Sequence, residues 1–195
     1  MRSPELMCRE DTGLLVVDVQ TKLLEKIADR DRLLANIVRL VEGARLLGIP
    51  VQATEQYPKG IGPTASVLAE RLPSRPEKLS FSCCGIPEVI EGFRSRGVHK
   101  VLLAGIEAHV CVQQTALDLL AQGFRVYVAA DAVASRKELD RDWGLSRLDR
   151  SGAVITTTEA ALFEWTERAG TAEFKQISRL VTSDDAEILS RPAPT

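Results

Sequence analysis

Histidine is nearly missing from this chain: His99 and His109 are the only two in 195 residues. A histidine-rich metal site needs more donors than that. Cysteine is sparse too, with Cys8, Cys83, Cys84 and Cys111 and no Cys-x-x-Cys pair. Disulfide scaffolds are shorter and denser in cysteine, so reduced thiols in a cytoplasmic protein are expected. No apolar run approaches the roughly 20 residues of a membrane helix, and the opening Met-Arg-Ser-Pro-Glu-Leu has no signal-peptide core. Charge is nearly balanced, 25 basic against 27 acidic residues, with no basic block or aromatic–basic interleaving. That leaves no footprint for nucleic acid. A glycine-rich phosphate loop is missing as well, since Gly60-Ile-Gly62 lacks the strand–turn–helix context.

What is present is an alternation of apolar runs with longer amphipathic segments. Hydrophobic residues make up 45% of the chain, enough for a sizeable core in about one ordinary domain. Residues 13–19 read as a strand buried on both faces, and 22–47 as a helix that stops at Gly48 and Pro50. A short strand at 50–54 leads into a loop at 55–63, punctuated by Tyr57-Pro58, Gly60 and Gly62-Pro63, and then a short helix at 64–72. Strands follow at 77–82, 99–104, 124–130 and 153–156, separated by helices at 87–96, 111–122 and 145–151. A helix at 157–169 and a weakly helical stretch at 174–188 close the chain, and the Pro-containing end is expected to fray. The repeated strand–helix–strand order implies a parallel sheet with helices on both faces. In such folds ligands sit at the carboxyl ends of the strands. Asp18, Lys78 and Cys111 fall at or near those ends, on separate elements that can converge on one crevice.

Each of these residues also has a plainer reading. Asp18 sits in Leu-Leu-Val-Val-Asp-Val-Gln, where a carboxylate needs a partner or a raised pKa, or simply caps the next loop. Lys78 opens the third strand, where a lysine is commonly solvated, although an ammonium there would hold a carboxylate and a thiol together. Cys111 is either a buried small hydrophobe or a nucleophile. Its place between a strand and a helix N-terminus favours the thiolate. His109, two residues earlier, is an alternative base, with a structural or pocket-lining role preferred. Asp131 either orients nearby backbone or forms a turn. Cys83-Cys84 is read as packing beside the crevice, and Trp143 and Trp165 as core or interface anchors.

Taken together, Leu14-Leu-Val-Val-Asp18-Val-Gln20, Lys78, Gly105-Ile-Glu-Ala-His-Val-Cys111-Val and Ala129-Ala-Asp131-Ala-Val-Ala-Ser135-Arg136 resemble the isochorismatase-like cysteine hydrolase superfamily. The resemblance covers about residues 10–170 of one domain spanning 1–195, with 171–195 peripheral. It implies a Rossmann-like three-layer α/β/α fold on a six-stranded parallel sheet, and catalysis by Asp18, Lys78 and Cys111. It also implies a non-proline cis peptide at Ile106–Glu107 that aims the N–H groups of Glu107 and Cys111 as an oxyanion hole. Gln20, Tyr57 and His109 are the corresponding pocket candidates. Nicotinamidases of the superfamily carry one aspartate and two histidines after the second strand. Here that loop offers Glu55, Gln56 and Tyr57, so neither a metal nor any other cofactor is expected. Isochorismatases proper, which cleave a vinyl ether, generally lack the cysteine, so Cys111 favours the branch acting on C–N bonds of small amides or carbamoyl compounds. An ether hydrolase without a covalent intermediate, and a binding or redox-sensing protein on the same fold, are the alternatives. A small-molecule substrate and a homo-oligomer are the expected partners, with neither nucleic acid nor membrane.

Overall fold

Leu14–Val17 is apolar throughout. In the computed structural model, which describes residues 2–72 and 74–193, it forms most of β1 (Thr12–Val17), buried on both faces. Around it assemble β2 (Val51–Gln56), β3 (Glu77–Lys78), β4 (Lys100–Ile106), β5 (Arg125–Ala134) and β6 (Val154–Thr156). The six strands lie in the order β3-β2-β1-β4-β5-β6 with every pairing parallel, as expected. The order reverses between β2 and β4 on either side of β1, and the carboxyl end of β1 is therefore the switch point where such sheets open a crevice.

The helices are α1 (Thr21–Leu24), α2 (Arg30–Leu46), α3 (Pro58–Ile61), α4 (Ser66–Ala69), α5 (Pro87–Arg94), α6 (Gln113–Ala121), α7 (Glu138–Arg150), α8 (Thr158–Thr166), α9 (Ala172–Thr182) and α10 (Asp185–Ser190). Alternate residues of β1 serve opposite layers: Leu14 and Val16 face the core that holds α2, α8 and α9, whereas Leu15 and Val17 face that of α5 and α6. Trp165 anchors the first layer fully buried, while Trp143 on α7 is exposed.

Several expected boundaries differ: β2 runs on to Gln56, β5 runs on to Ala134, and the expected loop at 55–63 contains α3. The single helix at 22–47 is two, parted at residues 25–29, where Lys26 N and Ile27 N turn back to Leu23 O and Leu24 O. The third strand stops at Lys78, since the next carbonyls turn in to meet the lysine ammonium. The helix at 145–151 starts earlier, at Glu138. The weakly patterned 174–188 stretch resolves into α9 and α10, whose Ile177, Leu180 and Ile188 are buried. Arg39 of α2 fastens that segment by donating to Leu180 O, Ser183 O and Asp185. The expected fraying of the chain end falls partly on residues 194–195, outside the described residues.

Asp131 orients backbone: it accepts from Thr158 N and Oγ1 at the start of α8, and its carbonyl accepts from Asn36. The pairing of β4 with β5 shifts register between Leu103 and Gly105. Gly105 has φ of 125°, and a Cβ there would lie 2.1 Å from Val17 O. Strands β1 and β4 thus approach closely just before the residues of interest. Gly105→Ala must force them apart in a conformation that L side chains rarely adopt. It is expected to cost at least about 3 kcal/mol in urea denaturation; a loss below about 1 kcal/mol would show the approach is not a constraint.

Candidate active site

The left-handed φ of 51° at Asp18 turns the chain as it leaves β1, and Gln20 N–H closes the turn on Asp18 O at 2.8 Å. Asp18 itself is 0% exposed. Its two oxygens are both committed: Oδ1 accepts from Thr54 Oγ1 at 2.7 Å, and Oδ2 from Lys78 Nζ at 2.6 Å. The parallel register sets Thr54 beside Val17, which places its hydroxyl against the next residue.

Lys78 is 4% exposed, not solvated. Besides Asp18, its ammonium donates to Gln56 Oε1 at 2.7 Å, Phe81 O at 2.8 Å and Ser80 O at 3.2 Å. A buried ion pair survives only when further hydrogen bonds replace lost hydration, and this one has them.

Cys111 lies in a π-helical turn (Ala108–Val112) between β4 and α6 and is 6% exposed. Wide turns of this kind recur at functional sites. The Ile106–Glu107 peptide is cis. Burial pushes the Cys111 thiol well above its ordinary value. The Asp18 charge raises it further, Lys78 opposes this, and Asp18 raises it again by accepting the thiol's hydrogen bond. The expected bias toward thiolate is thus overturned: desolvation and a neighbouring carboxylate outweigh the helix end. Beside the Asp18 carboxylate, the thiol form of Cys111 is favoured over the thiolate.

Cys83 is fully buried beside the same carboxylate. Its sulfur lies 3.4 Å from Thr54 Oγ1, its N–H donates to Thr115 Oγ1, and burial pushes its thiol up to about 11. Gln20 spends its amide on Gln56 N, Gln56 O and Gly62 O. Tyr57 is exposed, with its N–H on Lys78 O. His109 is partly exposed, with Nδ1 2.9 Å from Ser135 Oγ. A cleft of about 420 Å³ opens nearby, lined by Arg32, Leu33, Ser135, Arg136 and Arg141 among others; Gln20, Tyr57, His109 and Cys111 are not in its wall.

Glu55 holds Thr64 N and Oγ1 and pairs with Arg75, and Gln56 holds Lys78, so that loop's oxygen donors are already engaged. Among the described residues, no three His, Cys, Asp or Glu side chains gather as a metal cluster, and no helix is long and apolar enough to cross a membrane.

Thr54 and Thr115 had no sequence reading as site residues, and Gln56 had one only as part of the loop that lacks histidine. The available signal was a threonine late in an inner strand, one register step from the carboxylate of its neighbour.

Comparison with known proteins assigns the chain to a family. The isochorismatase domain family matches residues 12–160, and the chain belongs to that family. Isochorismatase domain-containing protein 2 of Danio rerio is 39% identical over 180 residues, 91% of either chain. Isochorismatase domain-containing protein 1 of the same fish is 41% identical over 160 residues, 78% of this chain; the match spans 55% of that protein's length. Among solved structures, the MAR1 ribonuclease of Caenorhabditis elegans superposes with a TM-score of 0.85 at 35% identity, covering 97% of this chain and 99% of that one.

Lys78→Met strands the Asp18 carboxylate in a dry site and is expected to cost about 3–5 kcal/mol. The Asp18→Asn/Lys78→Met double variant should recover most of that loss in the same denaturation experiment. A double variant no more stable than Lys78→Met would show that the ion pair is not what the lysine supplies.

Proposed function

We propose that this protein is a metal-independent cysteine hydrolase acting on a small amide or carbamoyl compound through an acyl-thioester on Cys111. The observation that carries the reading is the buried Asp18 carboxylate fixed by Lys78 Nζ at 2.6 Å, with a Cys111 thiol that burial and the Asp18 charge push toward its neutral form. A neutral thiol attacks only if its proton leaves during attack, and a hydrogen-bonded carboxylate is the group to take it. The sulfur adds to the carbonyl carbon, the N–H groups of Glu107 and Cys111 receive the oxyanion, and Asp18 passes the proton to the departing amine. Water, deprotonated by Asp18, then attacks the thioester and regenerates the thiol.

The 35% identity to a structure described as a MAR1 ribonuclease favours a second reading, hydrolysis of an RNA phosphodiester. The burial of Asp18, Lys78 and Cys111 favours a small substrate over a polymer. The first reading extends to a homo-oligomer: Leu139 and Trp143, one turn apart on α7, are large apolar side chains left exposed. A monomer mass by sedimentation at micromolar concentration would remove that part.

The decisive measurement is intact-protein mass spectrometry during turnover of acetamide, succinamide and N-carbamoylglycine, with an RNA oligonucleotide in parallel. An acyl mass on Cys111 is expected with one of the amides. Cys111→Ala should abolish turnover while folding normally, and Asp18→Asn should slow acylation by about 10²–10⁴-fold. Full turnover by Cys111→Ala sinks the covalent scheme; RNA cleavage with all three amides untouched moves the assignment to the second reading.

A further inference from the structure

Two consecutive residues in the connection from β5 to α7 hold the cysteine turn from outside. Arg136 meets Glu107 three times: its backbone N–H donates to Oε1 at 3.0 Å, Nε to Oε1 at 2.8 Å, and Nη2 to Oε2 at 3.1 Å. Ser135 Oγ lies 2.9 Å from His109 Nδ1. Glu107 and His109 flank Ala108 at the start of the π-helical turn. The Glu107 carbonyl, in turn, accepts from Val110 N and Val112 N, the residues on either side of Cys111. Glu107 is therefore tied at its carboxylate to β5 and at its carbonyl to the immediate neighbours of the thiol.

This turn has reason to need outside support. π-type turns are rare and occur mostly as single-turn bulges, and one only five residues long has few hydrogen bonds of its own. The strongest contacts available are charge-assisted and bidentate, which is the form Arg136 supplies. Glu107 is 5% exposed, so its carboxylate has little water to fall back on. The Arg136 pairing holds it ionised, below its ordinary value, against a desolvation that pushes the other way. α7 packs flush against the same turn: a Cβ on Gly144 would sit 3.1 Å from His109 Cα. Asp140 Oδ2 of that helix is 3.9 Å from His109 Nε2.

We propose that Ser135 and Arg136 are a positioning clamp: by holding His109 and Glu107 they fix the turn that carries the Cys111 thiol. The clamp deepens the amide hydrolase reading and rests on its Asp18–Cys111 pairing. Neither residue touches a reacting atom. Both line the wall of the 420 Å³ cleft, and the Arg136 side chain is about half exposed.

The test is the pH dependence of Cys111 alkylation by iodoacetamide, followed by peptide mass spectrometry so that Cys8, Cys83 and Cys84 are read separately. The charged and titratable groups facing Cys111 are Asp18 after β1, Lys78 on β3 and Cys83 before α5, with Glu107 and His109 on its own turn. Burial and Asp18 both hold the wild-type thiol protonated. A loosened turn gives up part of each, so Arg136→Met should move the labelling midpoint lower by about one pH unit or more. Arg136→Lys, which keeps the charge and loses the fork, should return part of the way. A folded Arg136→Met protein whose melting temperature falls while its Cys111 profile matches the wild type overturns the clamp and leaves Arg136 a stabilising residue only. If Arg136→Met does not fold, Ser135→Ala is judged by the same two outcomes through His109. Iodoacetamide labelling needs no turnover. A protein inert to every amide can still show the shift, and an active amidase can fail to show it, so the two readings fail separately.

Discussion

The buried pair of Asp18 and Lys78 is the interaction on which the rest of the site depends. Two opposite charges 2.6 Å apart, both nearly inaccessible to water, are stable only if their remaining hydrogen-bonding capacity is used. Here it is used by β2 and by the chain just beyond β3. Thr54 and Gln56 come from β2, and the carbonyls of Ser80 and Phe81 from the stretch just beyond β3. The pair therefore shapes the backbone as well as the electrostatics. It ends β3 after two residues and folds the following chain back over the ammonium. Leu79 and Phe81 lie outward in solvent on that stretch.

The same requirement explains the departures from ideal geometry at the carboxyl edge of the sheet. Asp18 adopts a left-handed φ so that the chain can turn while the carboxylate stays in line with Thr54 and Lys78. Gly105, one strand across, lets the β4 backbone come within contact of Val17 O. Positive φ at a non-glycine residue costs of order 1–3 kcal/mol and persists only where surrounding contacts over-determine it. Four polar partners on the ammonium and two on the carboxylate are such contacts.

How legible this was in the sequence follows from the range of each interaction. β1, β4 and β5 were readable because strands buried on both faces are continuous apolar runs, and their parallel order followed from the helices between them. The convergence of Asp18, Lys78 and Cys111 was readable because all three fall at the same end of the sheet. What was not readable depends on partners distant in sequence. Residues 79–82 have the composition of a strand, and only the ammonium they wrap makes them a loop. Residues 174–188 have weak periodicity, and they are ordered by Arg39, some 140 positions earlier, donating to Leu180 O. The state of Cys111 was misjudged for a related reason. A helix terminus is visible in the sequence, whereas the depth of burial and the carboxylate beside the sulfur are not.

That last point bears on how the site can work. A cysteine activated in advance is a standing thiolate, open to peroxide and to any passing electrophile. A thiol held neutral by burial and by a carboxylate reacts slowly with both. Its chemistry then requires the base, the sulfur and a polarised carbonyl to be in register at one moment, because proton removal and carbon–sulfur bond formation must accompany each other. Such a site gains selectivity through geometry, and it becomes sensitive to anything that displaces the sulfur by a fraction of an ångström. Under the proposed mechanism, rigidity of the turn that carries Cys111 is as much a part of the reactivity as the carboxylate, and the bidentate arginine on Glu107 would then serve that rigidity.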